Sequence, residues 1–185
     1  KIRGLSINGA GTGINGIRIL AANTVNVEDG VIDGVTQHGI SIETTSGTPK
    51  ITVDRMSIRS NNANGINTFI IGGTVNLTVV NSVISNNATG ISVSGNTKAS
   101  INNSTITNNT TGLVAANAEM NVFGSMISSN TTGISSLSGG TVRISDNMIS
   151  ANGTGLSASG GNIISFGNNS NFGNTADGSA TQVLA

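Results

Sequence analysis

The 185-residue chain carries eight Lys and Arg, eight Asp and Glu and a single His, so its formal net charge is zero and only 9% of its residues are charged. That balance leaves no basic stripe for nucleic acid, and no apolar run approaches the ~18–20 residues of a membrane-spanning helix. Cys is absent, which excludes disulfides and thiolate metal sites, and neither a metal nor a cofactor is expected.

The chain opens at Lys1-Ile2-Arg3, without Met and already inside a repeating pattern. A mature or trimmed fragment lacking an N-terminal cap is therefore expected. From there a Gly followed by Ile or Leu recurs at Gly16, Gly39, Gly65, Gly90, Gly112, Gly133 and Gly155, in steps of 23, 26, 25, 22, 21 and 22 residues. A period this short means that each unit is one rung of a solenoid, unable to bury its apolar side until neighbours stack on it.

Within the rung, two apolar residues five apart recur as Ile2/Ile7, Val27/Ile32, Val53/Ile58, Val79/Ile84, Ile101/Ile106, Val122/Ile127 and Ile144/Ile149. Another apolar residue precedes most pairs by two positions (Val25, Ile51, Leu77, Ala99, Met120, Val142), and Ile/Leu-x-apolar follows most of the glycines. This is period-two patterning in three short strands, and a helical i, i+3, i+4, i+7 series is nowhere sustained. The expected architecture is all-β: a single right-handed parallel β-helix with three strands per rung and about eight rungs, a rod of about 35–40 Å at ~4.8 Å per rung. The repeats are expected over residues 1–165. Beyond them Ser165 and Ser170 fall at apolar positions and Phe166 and Phe172 arrive off-pattern, so 166–185 is expected to be a C-terminal capping segment.

Three residues after the second Ile stand Asn61, Asn87, Asn109, Asn130 and Asn152. Asparagines at one bend of successive rungs bridge amide to carbonyl, an asparagine ladder, and tolerate the left-handed backbone of a tight corner. The Gly that follows is expected to supply either a positive φ or a close approach. The units 80–93 and 103–113, with Gly160-Gly161-Asn162-Ile163-Ile164-Ser165-Phe166-Gly167 near the end, resemble the right-handed β-helix proteins of the pectin-lyase-like superfamily, in particular their uncharacterised bacterial members. The resemblance implies the fold over essentially the whole chain. It implies no one activity, since that superfamily includes lyases, hydrolases, epimerases, adhesins and phage spikes.

Candidate chemistry is confined to the first rungs. Eleven of the sixteen charged residues lie before residue 60, with His38 among them. The fragment Gln37-His38-Gly39-Ile40-Ser41-Ile42 resembles the Gly-His-Gly-Ile-Ser-Ile stretch of polygalacturonases, with Gln37 in place of the first Gly; Gly-Ile-Ser is also the rung anchor, repeated at Gly90-Ile91-Ser92. The adjacent-aspartate and Arg-Ile-Lys motifs of those enzymes have no counterpart, and Asp33 and Arg59 stand alone. Arg18, Asp33, His38, Glu43 and Arg59 are the catalytic candidates, with His38 read as a solvent-facing turn residue and Arg18 with Glu43 as an exposed ion pair. From Gly65 onward the outward positions of the first strand hold no acid, base or cation, whereas a lyase needs a base and charge neutralisation and a hydrolase two carboxylates.

These features point to a non-enzymatic β-helix scaffold or interaction module, secreted or held at the cell surface or in the periplasm of a bacterium. The alternative is a carbohydrate-active enzyme or polysaccharide-binding domain with a groove near residues 18–60. A polysaccharide or another protein chain is the expected partner, not nucleic acid. A mildly apolar outward row through Val31, Val83, Met126 and Met148 offers a surface for self-association. If the stacked aliphatics hold the fold, Ile106→Asp should unfold the protein or lower its melting temperature far more than any charge swap before residue 60; equal melting temperatures would contradict the reading.

Overall fold

A computed structural model describes residues 1–70 and 72–184 and shows a parallel β-solenoid of about eight turns. Each full turn has three faces. The first face is a seven-stranded parallel sheet of Ile17–Ile19, Ile40–Ile42, Asn64–Thr68, Thr89–Ser94, Thr111–Ala116, Thr132–Leu137 and Thr154–Ser159. The second face includes Val75–Val80, Thr97–Asn102, Glu119–Phe123, Thr141–Ser145 and Asn162–Ser165. The third includes Val83–Ser85, Thr105–Thr107, Met126–Ser128 and Met148–Ser150. These two faces form one 15-stranded sheet, because Thr24–Asp33 and Lys50–Arg59 run unbroken around the corner between them.

The five-residue spacing of the aliphatic pairs becomes two columns inside the tube. Val27, Val53, Val79, Ile101, Val122 and Ile144 stack in register on the second face, and Ile32, Ile58, Ile84, Ile106, Ile127 and Ile149 on the third. None is more than 2% exposed. Each such side chain contributes about 1.5–3 kcal/mol on burial, and β-branched Val and Ile suit a pleated surface covered on its inner side.

The corners carry the polar groups. At the bend from third to first face, Asn61, Asn87, Asn109, Asn130 and Asn152 are buried, and each donates from its backbone N–H and its Nδ2 to the Oδ1 of the Asn one rung on, at 2.9–3.2 Å. From Asn87 onward the Nδ2 group also reaches back to the carbonyl of Ile58, Ile84, Ile106, Ile127 and, from Asn174, Ile149, so one carboxamide ties three rungs together. The ladder also reaches one rung beyond the expected set. Asn174 accepts from Asn152, and its own N–H and Nδ2 donate to Asp177 Oδ1 at 3.2 and 2.9 Å.

One local expectation is corrected, and one left with two alternatives is decided. The left-handed residue at this bend is the one before the ladder Asn: Ser60, Asn86, Asn108, Ser129 and Ala151 have φ of 55–56°, while the ladder asparagines do not. The backbone reverses first, and the next side chain is thereby turned into the tube. The glycines that follow serve close approach and not positive φ. A Cβ at Gly112 would sit 2.5 Å from the Gly133 carbonyl oxygen and 3.1 Å from Asn130 Nδ2.

A second ladder occupies the corner between the second and third faces. Met56 N–H donates to Ser82 Oγ, Ser82 N–H to Ser104 Oγ, Ser104 N–H to Ser125 Oγ, Ser125 N–H to Asn147 Oδ1 and Asn147 N–H to Asn169 Oδ1, at 2.9–3.2 Å. Its left-handed column includes Asp29, Arg55, Asn81, Asn103, Gly124 and Asp146.

Residues 166–184 continue the winding on the preceding turn. Ser170–Asn171 pairs in parallel with Met148–Ser150, Ala176 bridges Thr154, and Gln182–Val183 pairs with Asn162–Ser165. Ala185, the last residue of the expected capping segment, lies outside the described residues.

Ser136 is an exception inside the tube. It falls in the inward column with Val93, Ala115 and Ala158, is 0% exposed, and its Oγ has no hydrogen-bond partner. Removing an orphaned hydroxyl relieves a desolvation cost, so Ser136→Ala should stabilise by about 1 kcal/mol. Asn130→Ala strands the Asn109 donors and the Ile106 carbonyl and should destabilise by about 2–4 kcal/mol. Chemical denaturation of the two variants beside the parent checks both signs.

Candidate functional site

The charged residues of the first rungs occupy three separate places. On the first face, Arg18 stacks in register on Ser41, and Glu43 lies two residues further along. Arg18 donates from Nε and Nη2 to Glu43 Oε2 at 2.9 and 2.5 Å, and Ser41 Oγ donates to Glu43 Oε1 at 2.8 Å. Covered by this clamp, Ser41 is 1% exposed although it points outward. The Arg18 hydrogen bonds, with a lesser one from Ser41, hold the Glu43 carboxyl below the usual range, and Glu43 in turn raises Arg18 above its ordinary value.

At the corner between second and third faces, Arg55 donates from Nε to Asp29 Oδ1 at 2.5 Å, and Arg3 Nε donates to Asp29 Oδ2 at 2.7 Å. Arg55 also meets Asp54, and Lys1 meets Glu28 at 2.9 Å. Hydrogen bonds from Arg55 and then Arg3 bring the Asp29 carboxyl down to about 2. On the third face Asp33 and Arg59, isolated in sequence, stand in register on adjacent rungs with their charged groups 3.6 Å apart. All five carboxylates before residue 60 are therefore paired: Glu28, Asp29, Asp33, Glu43 and Asp54.

His38 lies on the bend from third to first face and corrects the reading of a solvent-facing turn residue. It is half-buried, and its Nδ1 accepts a hydrogen bond from Asn64 N–H at 3.3 Å, one rung on. Its own N–H donates to Asn15 Oδ1 at 3.1 Å. The imidazole thus serves the next rung as acceptor just as Asn15 Oδ1 serves His38, beside the asparagine ladder and not in it, and an acceptor at Nδ1 leaves the proton of the neutral ring on Nε2. Burial lowers its pKa, opposed more weakly by Glu43.

Arranged this way, the residues can hold rungs together but are poorly disposed for acid–base work. A general acid needs a carboxyl raised toward neutrality, and a retaining or inverting pair needs two carboxyl groups facing one bond. Here the shifts resolved for Asp29 and Glu43 run downward, and each faces a cation. Further along the first face the outward row from Asn67 continues in register as Ser92, Val114, Ser135 and Ser157. Among the described residues, no three His, Asp or Glu side chains are grouped so as to hold a metal ion.

The family model for a right handed beta helix region matches residues 15–172. The chain belongs to this β-helix family. No curated protein matches it. Among solved structures, a crystal structure of pectate lyase Pel9A superposes with a TM-score of 0.59, covering 88% of this chain and 58% of that one at 13% identity. At that identity the likeness establishes the β-helix fold alone, and this β-helix protein spans little more than half the length of its structural neighbour.

The burial of His38 gives a pH dependence with a definite sign. The unfolded imidazole takes a proton near its ordinary value of about 6.5, the folded one only at lower pH. Stability is thus full above about 6.5 and is lost as pH falls from there through the folded pKa, since the unfolded state binds the extra proton. The melting temperature should decline between about pH 6.5 and 5, and the decline should be absent in His38→Gln. A pH series of thermal melts on both proteins checks this.

Proposed function

We propose that the chain is a non-enzymatic β-helix scaffold, an interaction module of an exported bacterial protein, secreted or held at the cell surface or in the periplasm. The observation that carries this reading is the pairing of all five N-terminal carboxylates: Glu28, Asp29, Asp33 and Glu43 are committed to cations one rung away, and Asp54 to its neighbour Arg55. The exported bacterial setting rests on the resemblance to bacterial members of the superfamily.

Its contact surface is the outer side of the third face. There Val31, Ser57, Val83, Thr105, Met126 and Met148 stack in register, and Val83 and the two methionines are 40–47% exposed. At the N-terminal end the row borders a corner depression of about 340 Å³ lined in part by Asp29, Val31, Arg55 and Val83. Six rungs at ~4.8 Å make a strip roughly 25 Å long and about 10 Å wide, well short of the ~800 Å² per partner of a stable complex. A second copy of the chain is the occupant proposed, and the small area implies weak, concentration-dependent association.

A polysaccharide-acting or polysaccharide-binding role with a groove near residues 18–60 is the second reading, favoured by the likeness to pectate lyase Pel9A. On the first reading, purified protein should turn over none of pectin, polygalacturonate and alginate, and light scattering should show a monomer that associates as concentration rises, less so in Val83→Lys. Turnover abolished by Glu43→Gln or His38→Ala would install the second reading, and a strict monomer at high concentration would remove the third-face contact.

A further inference from the structure

With no Cys, Trp or Tyr in the chain, its four methionines are the side chains most open to oxidation, since a thioether accepts oxygen readily. They fall into two classes. Met56 and Met120 are 3% and 0% exposed; Met120 belongs to the packed core, and Met56 takes the corner position where later rungs place Ser82 and Ser104. Met126 and Met148 are 40% and 47% exposed. They pair directly across adjacent rungs of the third face, with Ile127 and Ile149 behind them in the core.

We propose that Met126 and Met148 form a paired site of methionine oxidation, at which a peroxide converts the apolar strip of the third face into a polar one while the solenoid stays folded. The chemistry balances without help from the protein. The lone pair of the Met sulfur attacks one peroxide oxygen, the O–O bond breaks, the sulfur is oxidised to a sulfoxide, and the other oxygen leaves with a proton as water or the corresponding alcohol. Sulfoxide is polar and hydrogen-bonding where thioether is not, so two such groups one rung apart change the character of the strip at its C-terminal half.

The location separates this from oxidative damage. Both backbones lie in strands paired on two sides, Met126 between Thr105 and Met148, and Met148 between Met126 and Ser170. The added oxygens project into solvent and need no repacking of the interior. Oxidation of Met56 or Met120 would place a polar oxygen inside the tube. The effect on association rests on the reading of the third face as a self-contact.

The test is hydrogen peroxide treatment of the whole chain, with peptide mapping by tandem mass spectrometry over time and thermal melts of the product. Met126 and Met148 should each gain one oxygen at least about tenfold faster than Met56 and Met120, with the melting temperature nearly unchanged. Comparable rates at all four methionines, or unfolding that keeps pace with oxygen uptake at 126 and 148, would overturn the site. Light scattering then reads the consequence separately: oxidised protein should associate less than reduced protein, and the doubly substituted Met126→Leu, Met148→Leu protein should associate and ignore peroxide. If the reduced protein never associates, the self-contact falls while the peptide map still decides the oxidation site. Association unaffected by complete oxidation would overturn the effect proposed for it.

Discussion

Every rung of this molecule depends on a neighbour to satisfy the polar groups at its corners. A β-strand pair satisfies backbone donors and acceptors along its length, but a chain that turns three times per circuit must bury amides at each bend, where strand pairing lapses. Left without partners, such groups cost about 1–3 kcal/mol each. The Asn column from Asn61 to Asn174 and the Ser/Asn column from Ser82 to Asn169 meet this constraint with side chains that donate or accept along the axis. A carboxamide carries both functions, which is why Asn holds the bend where both a donor and an acceptor are required. A hydroxyl suffices at the other corner, where the recurring need is an acceptor for the next backbone N–H.

That constraint explains which parts of the structure were legible. The aliphatic columns and the Asn ladder recur at fixed offsets, so the strands, their register and the rung count could be read from residues such as Ile84, Ile106 and Ile127. The second ladder was present in the same text, as Ser82, Ser104, Ser125 and Asn147 two residues before each third-face Ile, but a column of small polar residues looks like ordinary turn composition. Which residue is left-handed could not be read from composition, because Ser60 and Ala151 give no residue-type signal and the bend imposes their conformation.

The N-terminal charges were harder. Asp33 and Arg59 are 26 residues apart and meet only because one rung of that length lies between them. Arg18 with Glu43 was anticipated as an exposed ion pair, yet the burial of Ser41 beneath them follows from the length of the arginine side chain. His38 looked like an exposed turn residue because its acceptor role depends on the next rung's Asn64 N–H, and no local pattern announces that partner. Charge clusters in a solenoid are thus read best along the axis, rung against rung, and poorly along the chain.

The asparagine column has a direction. Its first acceptor, Asn61 Oδ1, takes the N–H of Val35, and its last donors, on Asn174, end on the carboxylate of Asp177. A head-to-tail series of amides polarises cumulatively, so the final hydrogens are the most electropositive of the set. A negative residue seated on them does for this string of dipoles what an acidic side chain does at the start of an α-helix. The rod is therefore electrically unsymmetrical from one end of the column to the other, and fraying at its C-terminal end is opposed by an anion.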